Sequence, residues 1–257
     1  VPQLTWLGAL GGGLGGGLGG GGVPLLPFTD NLLFHVRADD AVNFTLSGTD
    51  VDEWFDTAPS PITLTPVGAA PTRELNMQNG LAGVKSQTLT TTSTPAKMDN
   101  IWEGGGHVFA VCHGANATSN GSLIRKGGNK QYIRGISVSG GVFMFYIGED
   151  FTTADGVWRS TTADVSVSDV SIFDTEYNSD SVANDPILRV NGVTEAITEG
   201  NTPEGTNVDD AADETLFMGS GWNIGLFEII IYSEILSADD AATVREYLAD
   251  KWGLTLP

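Results

Sequence analysis

Cysteine is almost absent from this chain. Cys112 stands alone among 257 residues, so no intramolecular disulfide holds the fold and the redox compartment is left open. On the segment His107 to His113 it shares a strand face with Val108 and Ala110, where the expected role is a buried small hydrophobe and not a nucleophile. Basic residues are scarce too. Twelve Lys and Arg stand against thirty-two Asp and Glu, a formal charge of −20 that repels phosphate backbones and anionic headgroups. Nucleic acid is therefore not an expected partner, and a solvated acidic surface is expected. No basic-then-apolar leader is read at the start. The one long uncharged run, residues 1–27, has the length of a membrane helix. However, Gly8 to Gly22 holds eleven glycines, each disfavouring helix by about 1 kcal/mol relative to alanine. A membrane span is not expected there.

What is present divides the chain in two. Residues 1–27 form an uncharged Gly/Leu-rich arm containing Trp6, in which Leu10, Leu14 and Leu18 recur every four residues with glycine between them. That spacing suits close packing against a neighbour, and an extended, polyproline-like course is the alternative. The arm is expected to be an assembly anchor, packed on other copies of the chain or on neighbouring subunits. Residues 28–257 alternate short strands with polar turns. Leu32 to Arg37, Val51 to Phe55 and His107 to His113 read as strands, with Trp54 at a packed corner. Tyr132 to Val138 and Val142 to Ile147 flank Ser139-Gly140-Gly141 as a hairpin, and Asn191-Gly192 is the strongest hairpin signal in the chain. Val165 to Phe173 alternates with a slip at Asp169, and Pro59 to Pro71 reads as a loop. Leu226 to Tyr232 is apolar on both faces except at Glu228, the mark of a strand covered on both sides. Ser237 then stands as an N-cap, Ala241, Val244, Leu248 and Trp252 follow at helical spacing, and Gly253 ends the helix. The expected class is all-β, an antiparallel sandwich with one C-terminal amphipathic helix.

Several segments resemble one family in the right order. Glu228 to Leu254, EIIIYSEILSADDAATVREYLADKWGL, resembles the closing signature of concanavalin A-like lectin/glucanase domains of the laminin-G-like kind, found in phage structural proteins and bacterial surface proteins. Upstream, LLFHVRADDAVNF with VDEWFD, NMQNGLAGVKSQ, HVFAVCHGANATSNGSLIRKGG and ILRVNGV resemble further segments of that family. The match runs from about Leu32 to Leu254 and implies a jelly-roll β-sandwich. It is specific for fold and not for function, since one such fold carries lectins, hydrolases and spacers.

Catalysis is not expected. Glucanase members of the family carry E-x-D-x-x-E on one strand, because alternation puts the carboxylates on one face and a retaining pair needs about 5 Å. No Glu here is followed two residues later by Asp. Glu149-Asp150 reads as a solvated turn, and His107 and His113 lie about 20 Å apart along one strand, too far to share a metal. No G-x-S-x-G or H-E-x-x-H occurs. No metal ligand set or cofactor is expected. Ca²⁺ is the one ion that Asp174 to Asp185 or Asp209 to Glu214 could take, against the plainer reading of solvated acidic loops. A sugar site needs an aromatic platform beside amides or carboxylates. The candidates are Trp222 with Asn223, Trp158 with Asp155, Trp102 and Tyr146, each weighed against a core role.

Joined to the arm, the resemblance implies a non-enzymatic virion structural protein, a phage tail or capsid component that displays a lectin-like domain toward host glycans. The alternative is a sugar-binding module of a secreted or surface bacterial protein.

Overall fold

The computed structural model describes residues 25–85, 88–91, 96–98, 101–113, 120–126, 131–138, 142–161, 169–207, 215–220 and 225–257. Strands β1 (Leu32–Arg37), β2 (Phe44–Ser47), β3 (Asp50–Phe55), β4 (Thr63–Pro66), β5 (Thr72–Gln78), β6 (Leu81–Lys85) and β7 (Leu89–Thr91) come first. They are followed by β8 (Gly106–His113), β9 (Asn120–Lys126), β10 (Gln131–Val138), β11 (Val142–Glu149), β12 (Gly156–Ser160) and β13 (Val170–Tyr177). The last strands are β14 (Ile187–Val190), β15 (Val193–Thr194), β16 (Ile197–Asn201), β17 (Leu216–Ser220) and β18 (Gly225–Tyr232), and helix α1 (Ala238–Trp252) closes the chain.

Every described ladder is antiparallel, and they build two layers. The first runs β1-β18-β8-β13-β14-β15, with β6 continuing the lane of β1 beside the start of β18 and β5 beyond it. The second runs β2-β3-β4-β7-β17-β9-β10-β11-β12-β16. Among the described residues the bridge from Asp50 to Thr72 joins the layers. The fold is the expected antiparallel β-sandwich with a C-terminal helix.

Strand alternation explains two cores. Phe34, Val36, Val108, Ala110, Cys112, Ile229 and Ile231 point from the first layer toward Trp54, Leu64, Leu123, Ile133 and Met218 of the second. The opposite faces of the same strands carry Phe109, Val111, Ile172, Ile230 and Tyr232, which meet Ala241, Val244, Leu248 and Trp252 of α1. Each large aliphatic side chain so buried contributes about 1.5–3 kcal/mol. Thus β18 is buried at all eight positions, as its unbroken apolar run requires.

The helix begins and ends as its sequence directs. Ser237 Oγ accepts from the backbone N–H of Asp240 at 3.2 Å, Asp239 and Asp240 occupy the first turn, and Gly253 ends it in the left-handed region at φ 65°. The β5–β6 turn reaches over that end: Gln78 Nε2 donates to the carbonyl of Trp252 at 2.8 Å and Asn79 Nδ2 to that of Lys251 at 2.9 Å. These bonds satisfy carbonyls that a helix end leaves bare.

Three expectations are corrected. Of the strand placed over Val165 to Phe173, residues 165–168 lie outside the described residues; β13 starts at Val170 and runs on past Phe173 to Tyr177, through Asp174 and Glu176, where Arg189 neutralises both acids. The loop Pro59 to Pro71 contains β4, where Leu64 pairs beside Trp54. Glu149, expected in a solvated turn, is buried at the end of β11. In the arm, Trp6, Leu10, Leu14 and Leu18 lie outside the described residues, while Leu26 at its end and Phe28 just after it pack on the helix-side core. Among the described residues no helix is long and apolar enough to cross a membrane.

Candidate functional site

A polar belt lies between the first layer and α1. A bulge opposite Cys112 and Val111 turns both Phe227 and Glu228 toward the helix. The Glu228 carboxylate is fully buried and accepts four bonds: His35 Nε2 at 2.8 Å, Tyr247 Oη at 2.9 Å, Lys251 Nζ at 2.8 Å and Trp252 Nε1 at 2.8 Å. Burial pushes its pKa up, but the His35 hydrogen bond and the Lys251 charge outweigh burial and hold it down to about 2. Lys251 also meets Asp39 at 3.0 Å. Burial raises the Tyr247 phenol, as does the Glu228 charge beside it. Along the same face, Arg189 binds Asp174 at 3.1 Å and Glu176 at 3.0 Å, Arg245 binds Asp174 at 3.4 Å, and His107 Nε2 approaches Asp174 at 3.3 Å. These acids are engaged by cations and covered by the helix, which fits them for fastening α1 rather than for attacking a substrate.

The tryptophans expected to offer a sugar platform are placed differently. Trp158 on β12 is fully buried, its ring 5.0 Å from that of Tyr177, and its Nε1 donates to Asp185 Oδ1 at 2.7 Å. Trp102 is buried against the same tyrosine at 6.0 Å. Neither presents a ring face to solvent, because each fills the end of the sandwich core. Asp155 is exposed just before β12. Tyr146 lies on β11 opposite Arg159, its side chain not described, and Trp222 and Asn223 lie outside the described residues.

The acidic stretch Asp174 to Asp185 is spent on local structure. Asn178 Oδ1 accepts from Asp180 N at 2.8 Å, Asp180 Oδ1 from Gly104 N at 2.9 Å, and Ser181 Oγ from Ala183 N at 3.2 Å. Among the described residues no group of three or more His, Cys, Asp or Glu is placed to hold a metal ion. The second stretch, residues 209–214, lies outside the described residues.

An open cleft of about 570 Å³ lies where β13 starts, beside the β14–β15 hairpin and the tail after α1. Asp169, Ser171, Asn191, Glu195 and Thr255 supply its polar groups, and Val170, Val190 and Val193 its apolar ones. The hairpin makes it. Asn191 at φ 50° and Gly192 at φ 83° form the two-residue turn, both in the region such a turn demands. Asn191 is pinned there: its N–H donates to Ile172 O at 2.8 Å and its Oδ1 accepts from Ile172 N at 2.9 Å. The lane of β14 therefore stops at Asn191, and the cleft opens next to Val170. Sequence reasoning found the turn but not the cleft, since residues 169, 191 and 255 are brought together only by the sheet and the tail after α1.

No family model matches the chain, and no curated protein does. Solved structures do share its fold. The binding domain of botulinum neurotoxin serotype C1 aligns with TM-score 0.52 and 9% identity over 86% of this chain and 52% of that one. The binding domain of botulinum neurotoxin DC in complex with SialylT gives 0.53 and 9%, over 86% and 52%. The binding domain of Paraclostridial Mosquitocidal Protein 1 gives 0.51 and 12%, over 88% and 56%. This chain spans about half the length of those structures, and at such identity the shared property is the β-sandwich.

Proposed function

We propose that this chain is a non-enzymatic, lectin-like binding module that recognises glycans and is carried on a phage particle by its Gly/Leu arm. The cleft at the β13–β14–β15 edge carries the reading. Its volume of about 570 Å³ falls in the range of small-molecule sites, roughly 300–1,000 Å³. Amide, hydroxyl and carboxylate groups there can fork sugar hydroxyls, and the valines can face the C–H side of a ring. Neurotoxin DC, whose binding domain has a similar fold, was solved with SialylT bound, which supports the module class. The non-enzymatic part rests on the missing carboxylate motif and on the neutralised state of Glu228, Asp174 and Glu176.

The test is binding of the full chain to a broad glycan array, with and without calcium, beside an Asp169→Ala/Glu195→Ala double variant and Trp222→Ala. Binding lost in the double variant places the site in the cleft; binding lost only in Trp222→Ala moves it to that loop. A blank array from folded protein overturns the lectin reading. For the particle role, a chain lacking residues 1–27 should fail to incorporate, and normal incorporation would refute the anchor. Hydrolysis of a β-glucan panel would refute the non-enzymatic reading.

A further inference from the structure

The helix is fastened by one lysine held between two buried acids. Lys251 Nζ, in the last turn of α1, donates to Glu228 Oε2 at 2.8 Å and to Tyr247 Oη at 3.3 Å, and stands 3.0 Å from Asp39 Oδ1 just past the end of β1. All three charged side chains are sealed, at 0% exposure for Lys251 and Glu228 and 1% for Asp39. The two acids are held differently. Glu228 is pinned by four donors, whereas neither carboxylate oxygen of Asp39 accepts a hydrogen bond among the described residues. Arg37 Nε, itself buried and without a hydrogen-bond partner, lies 4.0 Å from Asp39 Oδ1. The rings of Tyr247 and Trp252 flank the site, 5.5 and 5.2 Å from Nζ.

We infer that Lys251 and Asp39 join in an intramolecular amide, with Glu228 as the proton relay, a self-made cross-link between the two ends of the domain. An amine held against a carboxyl group gains the proximity that condensation in water lacks, and well-oriented pairs reach effective molarities of about 10⁵–10⁸ M. One Nζ proton passes to the Asp39 carboxylate, leaving an amine beside a carboxylic acid. The freed lone pair then adds to Cγ of Asp39, where Arg37 Nε is the donor placed to meet the oxygen that gains negative charge. Glu228 takes a second Nζ proton and returns it to the departing hydroxyl. The Cγ–O bond breaks, water leaves, and the nitrogen keeps one hydrogen in a neutral amide. Two ions are thereby removed from a medium that penalises them, and the sealed site excludes the water that would reverse the step. This is a single self-reaction and not turnover of a substrate. Until the bond closes, the ion pairs alone fasten α1.

The test is the intact mass of the folded full chain. It should fall short of the sequence mass by one water. Trypsin should release residues 38–73 joined to residues 246–257, uncut after Lys251, with fragment ions placing the bond at Asp39. Asp39→Asn should lose ammonia in place of water, because an amide nitrogen is then the leaving group. Asp39→Ala and Lys251→Arg should keep their full mass. In chains purified unfolded and then refolded, Glu228→Gln should close at least about a hundredfold more slowly than the parent, the size of one proton-transfer contribution. Melting curves check that each variant is folded. A full sequence mass in the folded parent overturns the inference. Water loss that persists in Lys251→Arg does the same, since it marks a cyclised aspartate elsewhere, and so does a bond to Glu228 in place of Asp39. Closure of folded Glu228→Gln at the parent rate overturns the relay.

Discussion

Replacing Glu228 with glutamine keeps the shape of the side chain and removes its charge, and the expected cost follows from what surrounds it. The carboxylate receives four donors within 2.9 Å and is sealed from water. A glutamine offers one acceptor oxygen and turns an NH₂ toward groups that themselves donate. Folding lowers the pKa of this group from 4.5 to about 2. At about 1.4 kcal/mol per pH unit, that span is about 3 kcal/mol of stability at neutral pH. Breaking one side of a buried ion pair gives a similar figure, about 3–5 kcal/mol. The unfolded chain takes up its proton near pH 4.5 and the folded one near 2. The contribution is therefore full above pH 4.5 and is lost as the pH falls toward 2. Urea unfolding followed by tryptophan fluorescence should show Glu228→Gln less stable by about 3 kcal/mol at pH 7, with Tm lower by roughly 6–12 °C. The gap to the parent should close on acidification. A difference under about 1 kcal/mol at pH 7, or one that acid does not narrow, would refute the reasoning. A double-mutant cycle with Lys251→Met should also show coupling, since Lys251 meets the Glu228 carboxylate at 2.8 Å, while the loss of its contact to Asp39 cancels in the cycle.

Gly253→Ala should cost about 1–2 kcal/mol in the same assay, because the residue sits at φ 65° and an added Cβ would come 2.9 Å from the Asn79 side chain that tethers the helix end. The Cys112 thiol, buried and with its pKa pushed well up by that burial, should react with an aromatic disulfide reagent only at the rate of unfolding; fast native labelling would contradict its placement. Trp158→Ala should lose about 3–5 kcal/mol by emptying a core site, and any glycan binding should persist at temperatures where the variant is folded; loss of binding from folded protein would return Trp158 to the site.

The closing strand and helix were legible because each local signal agrees with the next. The apolar run of β18, the Ser237 cap, the four-residue spacing of Val244, Leu248 and Trp252 and the Gly253 stop all name the same unit. The hairpins were legible as well, since Asn191-Gly192 is a local backbone demand. Glu228 could be seen as an exception in its strand, but its partner His35 is 193 residues away and no periodicity announces it. The same limit hid Asp174, whose neutralisation by Arg189 and Arg245 lets a strand continue through an acidic stretch. Trp102 and Trp158 show the converse. Polar neighbours in sequence made both candidates for a sugar platform, weighed against a core role, and the sheet placed both rings against Tyr177.

The position of β18 in the first layer also sets an order of events during synthesis. Leu32 of β1 pairs with Tyr232, and β18 separates β1 from β8, so β1 lacks this neighbour until some 200 residues later and β8 until about 120 residues later. At about 5–20 residues per second the wait of β1 is roughly 10–40 seconds. From its own synthesis until β18 arrives, the apolar strand Gly106–His113 keeps an open edge. Only when the last thirty residues emerge can the middle lane fill and α1 fold down over it. Until then the nascent chain carries an unfinished sheet, with an excess of acidic residues that repels other copies of itself.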